Sequence, residues 1–507
     1  MTGKVYLIGA GPGDPDLITR RGAECIRQAE VVIYDYLASP RLLELCSPTA
    51  EIIYVGKKGG DHTLSQEGIN QLIADKARQG HLVARLKGGD PFIFGRGGEE
   101  AEILAAEKIP FEIVPGVTSA IAAPAYAGIP LTHREHTSAV SLITGHEDPA
   151  KNESSLNWPA LASLGGTLVF LMGVKNLVSI VEQLTAHGMD GDTPVALVRW
   201  GTTPRQQTVT GTLDNIVAEV NRAGLRAPCI IVIGQVVRLR ETISWFETRP
   251  LFGKTIVVTR ARPQASGFLR LLSSYGADCL ACPTINVLPA EDTAPLDACL
   301  EKLADYDWLV FTSVNGVSCF FERLFASGRD ARALGHLKTA VIGPATRQRL
   351  LDFGITSDII PDSYRAEAVI TAFEREEMAG KAVLLPRAAG ARPILPEELV
   401  KMGAAVDEIS AYYTVPDTSA AEELRAALAE GRVNLVTFTS SSTVINFKAL
   451  LPEDPDEQRR LLRGVRMASI GPITTSTAEQ EGFEVDITAA TYTIEGLTEA
   501  IIAHFTR

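Results

Sequence analysis

Five glycines fall within the stretch Gly88-Gly89-Asp90-Pro91-Phe92-Ile93-Phe94-Gly95-Arg96-Gly97-Gly98. A backbone so rich in glycine bends sharply and lets a ligand approach closely. The stretch lacks the Gly-Lys-Ser/Thr ending of a nucleotide P-loop. Asp90, with Glu99, Glu100 and Glu102 suited to the first turn of a following helix, argues against an anion there. A neutral or cationic ligand held by backbone groups fits better. A second turn, Gly9-Ala10-Gly11-Pro12-Gly13-Asp14-Pro15, invites a dinucleotide reading with Asp35 as the ribose acid. Its third glycine falls one place early, and Pro12 and Pro15 remove backbone donors that a pyrophosphate needs. Asp35 still ends an apolar run, where open α/β sheets put their ligands; a capping or solvated aspartate stays open beside that. Cys279 and Cys282 form a lone Cys-x-x-Cys without a second ligand pair, so no metal is expected. The seven cysteines are scattered and odd in number, which gives no disulfide framework.

Apolar runs alternating with amphipathic segments must position these groups. Strands are expected over 5–9, 31–35, 81–86, 167–172, 195–200 and 229–233, and helices over 16–29 and 101–107. The pattern is α/β throughout. It breaks over 238–253, around Trp245 and Pro250, which places a domain boundary near residue 250. An internal repeat follows. Gly253-Lys254 with Arg260 matches Gly380-Lys381 with Arg387, and Phe311-Thr312-Ser313 matches Phe438-Thr439-Ser440, at an offset of 127 (380 minus 253). Ile342-Gly343-Pro344 with Thr346 and Tyr364 matches Ile470-Gly471-Pro472 with Thr474 and Tyr492 at 128 (470 minus 342). Two similar α/β lobes with a ligand cleft between them are expected from such a frame.

At 507 residues the chain has room for about three domains. Its 46% hydrophobic and 21% charged content is that of an ordinary globular enzyme. No apolar run approaches the length of a membrane span, and the N-terminus enters a strand directly, so cytoplasmic residence is the expectation. A net charge of −13 disfavours a nucleic-acid surface while leaving room for a small basic cleft.

Several motifs together cover most of the first half: the Gly9 turn through Asp14, Tyr34-Asp35, Gly56-Lys57, Leu86-Lys87-Gly88-Gly89-Asp90-Pro91-Phe92, Pro115-Gly116-Val117-Thr118-Ser119, Gly128-Ile129-Pro130-Leu131-Thr132-His133-Arg134 and Leu171-Met172-Gly173. On these, residues 1 to about 240 resemble uroporphyrinogen-III C-methyltransferase, which makes precorrin-2 for sirohaem and cobalamin. The resemblance implies two α/β lobes holding S-adenosylmethionine, whose sulfonium is cationic and carries no phosphate. It implies a cofactor site of Pro12, Gly88, Gly89, Asp90, Ile93, Thr118, Ser119, Met172 and Gly201. Met172 taken alone reads as a core gap-filler. By resemblance Asp35 is the general base and Lys57 the proton donor, because protons must be redistributed around the macrocycle after methylation. The substrate's eight carboxylates call for cations, with Arg96, His133 and Arg134 as candidates. His146 reads equally well as a structural histidine.

Residues 251–507 resemble uroporphyrinogen-III synthase through Phe311-Thr312-Ser313 with Asn315-Gly316-Val317 and the two Ile-Gly-Pro turns. The resemblance implies closure of hydroxymethylbilane to uroporphyrinogen III with inversion of the last ring and loss of water, without metal or organic cofactor. Ser313, Thr346, Ser440 and Thr474 sit where strands hand over to helices and are candidate substrate ligands, each with a helix cap as its plain alternative. Tyr412 matches a cleft tyrosine of the family and is expected to help the hydroxyl leave. The expected domains are 1–245, a linker over 246–252, and 253–507. The synthase lobes fall near 253–284 plus 417–507, and 286–415, linked by two extended strands. A homodimer through the methyltransferase half is a further expectation. A C-terminal half that only binds tetrapyrrole is the alternative reading.

Overall fold

The protein, described over residues 3–56, 64–146, 155–260 and 262–506 of a computed structural model, builds four five-stranded sheets from these apolar runs. The first sheet contains β1 (Lys4–Gly9), β2 (Val31–Tyr34), β3 (Glu51–Tyr54), β4 (Leu82–Lys87) and β5 (Phe111–Val114), all parallel, in the order β3-β2-β4-β1-β5. Val5, Leu7, Ile8, Val31, Ile33, Val83 and Leu86 are fully buried, as a parallel sheet covered on both faces requires. Each such side chain contributes about 1.5–3 kcal/mol of burial. The second sheet contains β6 (Val140–Thr144), β7 (Thr167–Leu171), β8 (Pro194–Arg199), β9 (Gln207–Thr212) and β10 (Cys229–Ile233), in the order β6-β7-β10-β8-β9. It is parallel only between β6 and β7.

β11 (Thr255–Val258) and β12 (Asp278–Ala281) begin the third sheet. The next strands, β13 (Ile285–Pro289), β14 (Trp308–Phe311), β15 (Lys338–Val341), β16 (Ala382–Ala388) and β17 (Ala405–Pro416), form the fourth, in the order β13-β17-β16-β14-β15. β18 (Val433–Phe438), β19 (Arg466–Ser469) and β20 (Ile487–Thr488) return to complete the third, in the order β12-β11-β18-β19-β20. β13 and β17 run antiparallel from Ile285↔Pro416 to Pro289↔Tyr412. The chain divides into one unit of Met1–Thr255 with Leu272–Asp278 and Phe505–Arg507, and another of Ile256–Leu271 with Cys279–His504. No helix among the described residues is long and apolar enough to cross a membrane.

Three local expectations change. The helix expected over 16–29 is broken into a 3-10 turn, Pro15–Leu17, and a helix, Arg20–Gln28. Ile18 is extended between them, and the Thr19 hydroxyl recaps the chain by accepting from the Gly22 N–H. The helix expected from 101 starts at Gly97, behind Arg96 in a left-handed conformation at φ 58°. A Cβ at Gly97 would meet the Pro91 carbonyl oxygen at 2.5 Å, so packing overrides the low helix propensity of glycine. The segment 246–252, expected as a linker, packs against its own unit. Phe246 and Leu251 are buried, and the Phe246 ring meets Tyr126 at 4.7 Å. Glu247 accepts from Gln206 and Thr208 at 2.7 and 2.6 Å and pairs with Arg240 at 2.5 Å.

Candidate functional site

At the C-terminal ends of β1, β4 and β5 three glycine turns touch backbone to backbone. Gly11 and Gly89 exchange N–H···O bonds of 3.2 and 2.7 Å, both at positive φ (78° and 71°). A Cβ at Gly9 would meet the Gly116 Cα at 2.4 Å, and one at Gly116 would meet the Gly89 carbonyl oxygen at 2.3 Å. Only glycine fits such a junction. Asp90 braces it, accepting from Gly116 N–H at 2.9 Å through one oxygen and from Phe92 N–H at 2.8 Å through the other. Asp90 is thus a staple of the loop. A Cβ at Gly89 would meet the Ser119 nitrogen and the Cα of Thr118, which caps the helix Ser119–Tyr126, in ordinary van der Waals contact at 3.6 Å. Pro12 is half-buried in the first turn. Gly13 approaches the Gly201 carbonyl and the side chains of Thr202 and Thr203 beyond β8, and Asp14 N–H donates to the Thr202 hydroxyl at 3.0 Å. Gly88 abuts Leu37, which brings the loop after β2 to the same place. Ile93 and Met172 are exposed, and Met172 has φ 58° at the end of β7, so it is not a core methionine.

Asp35 lies just past β2. Its Oδ1 accepts from Leu37 N–H at 3.1 Å and its Oδ2 from Arg85 Nη2 at 3.0 Å. Arg85 belongs to a buried charge cluster that the sequence reading missed. Glu100 Oε1 accepts from Lys87 Nζ at 2.7 Å, Arg85 Nε at 3.3 Å and Gln66 Nε2 at 3.3 Å, while its Oε2 is buried without a hydrogen-bond partner. Burial first, then the Arg85 charge, hold the Lys87 ammonium below its ordinary pKa, against the pull of Glu100. Glu100 does lie in the first turn of its helix, as expected, but it is also this cluster's buried counter-charge. Charged side chains inside an interior parallel strand were the available signal.

Arg96 is exposed and forked onto Glu99 at 2.9 and 2.6 Å, so its charge is already engaged. Among the described residues no hydrogen bond or ring contact joins His133 or Arg134 to the glycine junction. His133, Glu135 and His136 place ligand atoms within 4.8 Å of one another, a grouping not anticipated from sequence. His146 is exposed, and its backbone bonds the Thr144 hydroxyl in both directions. Lys57 lies outside the described residues.

In the other unit, the Ser313 hydroxyl caps the helix Val314–Ala326 by accepting from Gly316 N–H at 2.9 Å and bonds the Tyr412 hydroxyl at 2.9 Å. Two sequence candidates far apart in the chain therefore meet. A bulge at Ala388 and Ala411 breaks the β16–β17 register and buries Ala411 and Tyr412 in succession. Burial, partly opposed by the Ser313 bond, raises the Tyr412 pKa. Tyr412 lines a cavity of about 570 Å³ that also carries Glu291, Asp292 and Glu408. Ser440 closes a capping box with Thr443. Thr346 and Thr474 are not caps. Gly343 and Gly471 hold those positions, without a side-chain cap bond, and the threonines sit third in their helices, 3% and 5% exposed. Neither hydroxyl has a hydrogen-bond partner among the described residues. By contrast Thr371, Thr477 and Thr498 bond back to carbonyls of the preceding turn.

Residues 4–217 match the family model for tetrapyrrole (corrin/porphyrin) methylases, and residues 266–499 match that for uroporphyrinogen-III synthase HemD. A porphyrin biosynthesis protein HemD of Ruminiclostridium josui is 36% identical over 500 residues, 99% of this chain and 98% of its own. The chain belongs to the HemD family, in the form that fuses a methylase to a synthase region. Within this HemD-family chain the glycine junction and Asp35 fall in the methylase match, and Ser313 with Tyr412 in the synthase match. An S-adenosyl-L-methionine-dependent uroporphyrinogen III methyltransferase of Methanosarcina barkeri is 54% identical over 241 residues, 48% of this chain and 94% of its own. A uroporphyrin-III C-methyl transferase of Thermus thermophilus, solved with S-adenyl homocysteine, is 38% identical and covers 47% of this chain and 100% of its own at a TM-score of 0.41.

Proposed function

We propose that the chain cyclises hydroxymethylbilane to uroporphyrinogen III and then methylates that product twice to precorrin-2. The observation that carries the reading is the glycine junction of Gly9, Gly89 and Gly116 beside Asp35, within a methylase match. The residues present suit S-adenosylmethionine: a junction that a single Cβ would fill, backbone groups at Thr118, Ser119 and Gly201, and exposed apolar Ile93 and Met172. When bound, that group supplies an electrophilic methyl on a cationic sulfonium.

The chain's own residues do the rest. Arg85 and the Leu37 N–H orient Asp35 to accept a proton from the methylated macrocycle. Lys57 is the proton donor by resemblance. Arg134, without an ion-pair partner among the described residues, is available to a substrate carboxylate, whereas Arg96 must first leave Glu99. In the synthase half, uncapped helix N-termini with the Thr346 and Thr474 hydroxyls take the acetate and propionate arms. Tyr412, kept protonated by burial and oriented by Ser313, donates to the leaving hydroxyl. Loss of that hydroxyl leaves positive charge on carbon, which Glu291, Asp292 and Glu408 favour.

The reading includes domain limits of 1–245 and 253–507, synthase lobes near 253–284 plus 417–507 and 286–415, a homodimer through the methyltransferase half, and a cytoplasmic setting. Feeding uroporphyrinogen III with isotope-labelled S-adenosylmethionine tests the methylation. Two labelled methyl groups per tetrapyrrole are expected, and an unlabelled product removes the proposal for that half.

A further inference from the structure

Two tyrosines keep the same unusual position in the two halves of the repeat, and nothing above uses them. Tyr364 is 53% exposed and Tyr492 57% exposed. Each ring lies on the glycine of an Ile-Gly-Pro turn. A Cβ at Gly343 would meet the Tyr364 ring at 3.2 Å, and one at Gly471 would meet the Tyr492 ring at 2.9 Å. Each glycine caps a helix, Pro344–Leu351 and Pro472–Gln480, whose N-terminus lacks a side-chain cap and whose third residue is the buried, unpartnered Thr346 or Thr474.

A tyrosine that merely filled a turn gains by covering itself, because exposed aromatic surface is costly. Here the ring covers the glycine with one side and leaves more than half of its surface in water, in both lobes. The neighbouring groups explain that choice. Backbone N–H groups at a helix start attract a carboxylate, a threonine hydroxyl without a partner among the described residues offers it one more bond, and the adjacent ring offers a flat, electron-rich face. Together they match a pyrrole ring bearing a short carboxylate arm, with the arm on the helix start and the ring against the tyrosine.

We infer that Tyr364 and Tyr492 are substrate-binding residues, each packing against one pyrrole ring of the linear tetrapyrrole whose acid arm goes to the adjoining turn. This rests on the synthase reading above. A pair of such grips holds two separate rings of one substrate and so restrains the chain ends that must be joined.

The test compares Tyr364→Leu, Tyr492→Leu and the two Phe variants of the full chain, assayed on hydroxymethylbilane without S-adenosylmethionine. Leucine still covers the glycine but has no aromatic face, so KM should rise roughly 2- to 12-fold in each variant. The rises should multiply in the double variant, while melting temperature stays at the wild-type value. Phenylalanine should restore KM, since the ring face is kept. Leu variants with wild-type KM, or Phe variants as impaired as Leu, overturn the inference and leave the synthase reading standing. A wild type that yields only the symmetric I isomer removes both.

Discussion

The two halves of this chain build their candidate sites from different materials. In the methylase half, three glycine turns lock together at one sheet edge, and a single aspartate is fixed by a buried arginine within a cluster of four charged groups, Asp35, Arg85, Lys87 and Glu100. In the synthase half the candidate groups are hydroxyls, uncapped helix starts and exposed rings, found at two helix starts. A site concentrated in few charged side chains fails when one is removed. A site spread over backbone donors and neutral hydroxyls loses a fraction per change. The contrast also sets how each half announces itself in sequence, because backbone donors demand no residue type beyond a permissive turn.

The sharpest way to break this comparison is Asp35→Asn, which keeps the Leu37 N–H bond while removing the base. Methylation turnover should fall about 10²–10⁴-fold at saturating substrates, with closure of hydroxymethylbilane unaffected. Unchanged turnover measured by methyl incorporation would remove Asp35 from its role. Glu100→Gln probes the cluster beneath it. Arg85 and Lys87 would then be buried without their shared carboxylate, at a cost of about 3–5 kcal/mol in stability read by chemical denaturation. A loss well under 1 kcal/mol would mean that water or a neighbour already screens the pair.

The synthase half should respond in smaller, separable steps. Thr346→Val and Thr474→Val remove hydroxyls that have no partner among the described residues, so melting should not fall, while a bond to a charged arm worth about 1.5–3 kcal/mol is lost from closure. Ser440→Ala does the reverse: a true cap goes, costing about 1 kcal/mol of stability, with closure rate nearly kept in the folded protein. Identical behaviour of the threonine and serine variants would erase the distinction drawn between ligand and cap.

The smallest effect is a pH window. Glu112 accepts from Arg21 and Lys4, which pull its pKa down from 4.5 to about 2. A depressed carboxylate adds stability above its unfolded pKa and loses it as pH falls through the folded value. The melting difference between wild type and Glu112→Gln should therefore be full near neutrality, shrink below about pH 4.5 and vanish near pH 2. A difference that grows on acidification contradicts the pairing.

Much of the fold was legible because interior strands are unbroken apolar runs. The strand expected over 229–233 is β10, Cys229–Ile233, residue for residue. The helix beginning at Gly97 was not legible, since two glycines at its start argue against helix until Pro91 packs on the first of them, Gly97. The glycine motifs marked the candidate site within the methylase match, but the Glu100 cluster was hidden. Its members read locally as strand-end and helix-start charges, and only the fold joins Arg85 to Asp35 across 50 residues. In the other half the repeat marked Thr346, Thr474, Tyr364 and Tyr492, yet which were buried without partners and which stood in water depended on tertiary packing.

The fusion's central claim, that one chain both closes and methylates the tetrapyrrole, meets its most direct test in a single reaction. Purified full-length protein is given hydroxymethylbilane with and without S-adenosylmethionine, and the products are separated by isomer and mass. The account predicts uroporphyrinogen III without the methyl donor and its doubly methylated product with it. The symmetric I isomer alone, or III left unmethylated in the presence of the donor, would contradict it.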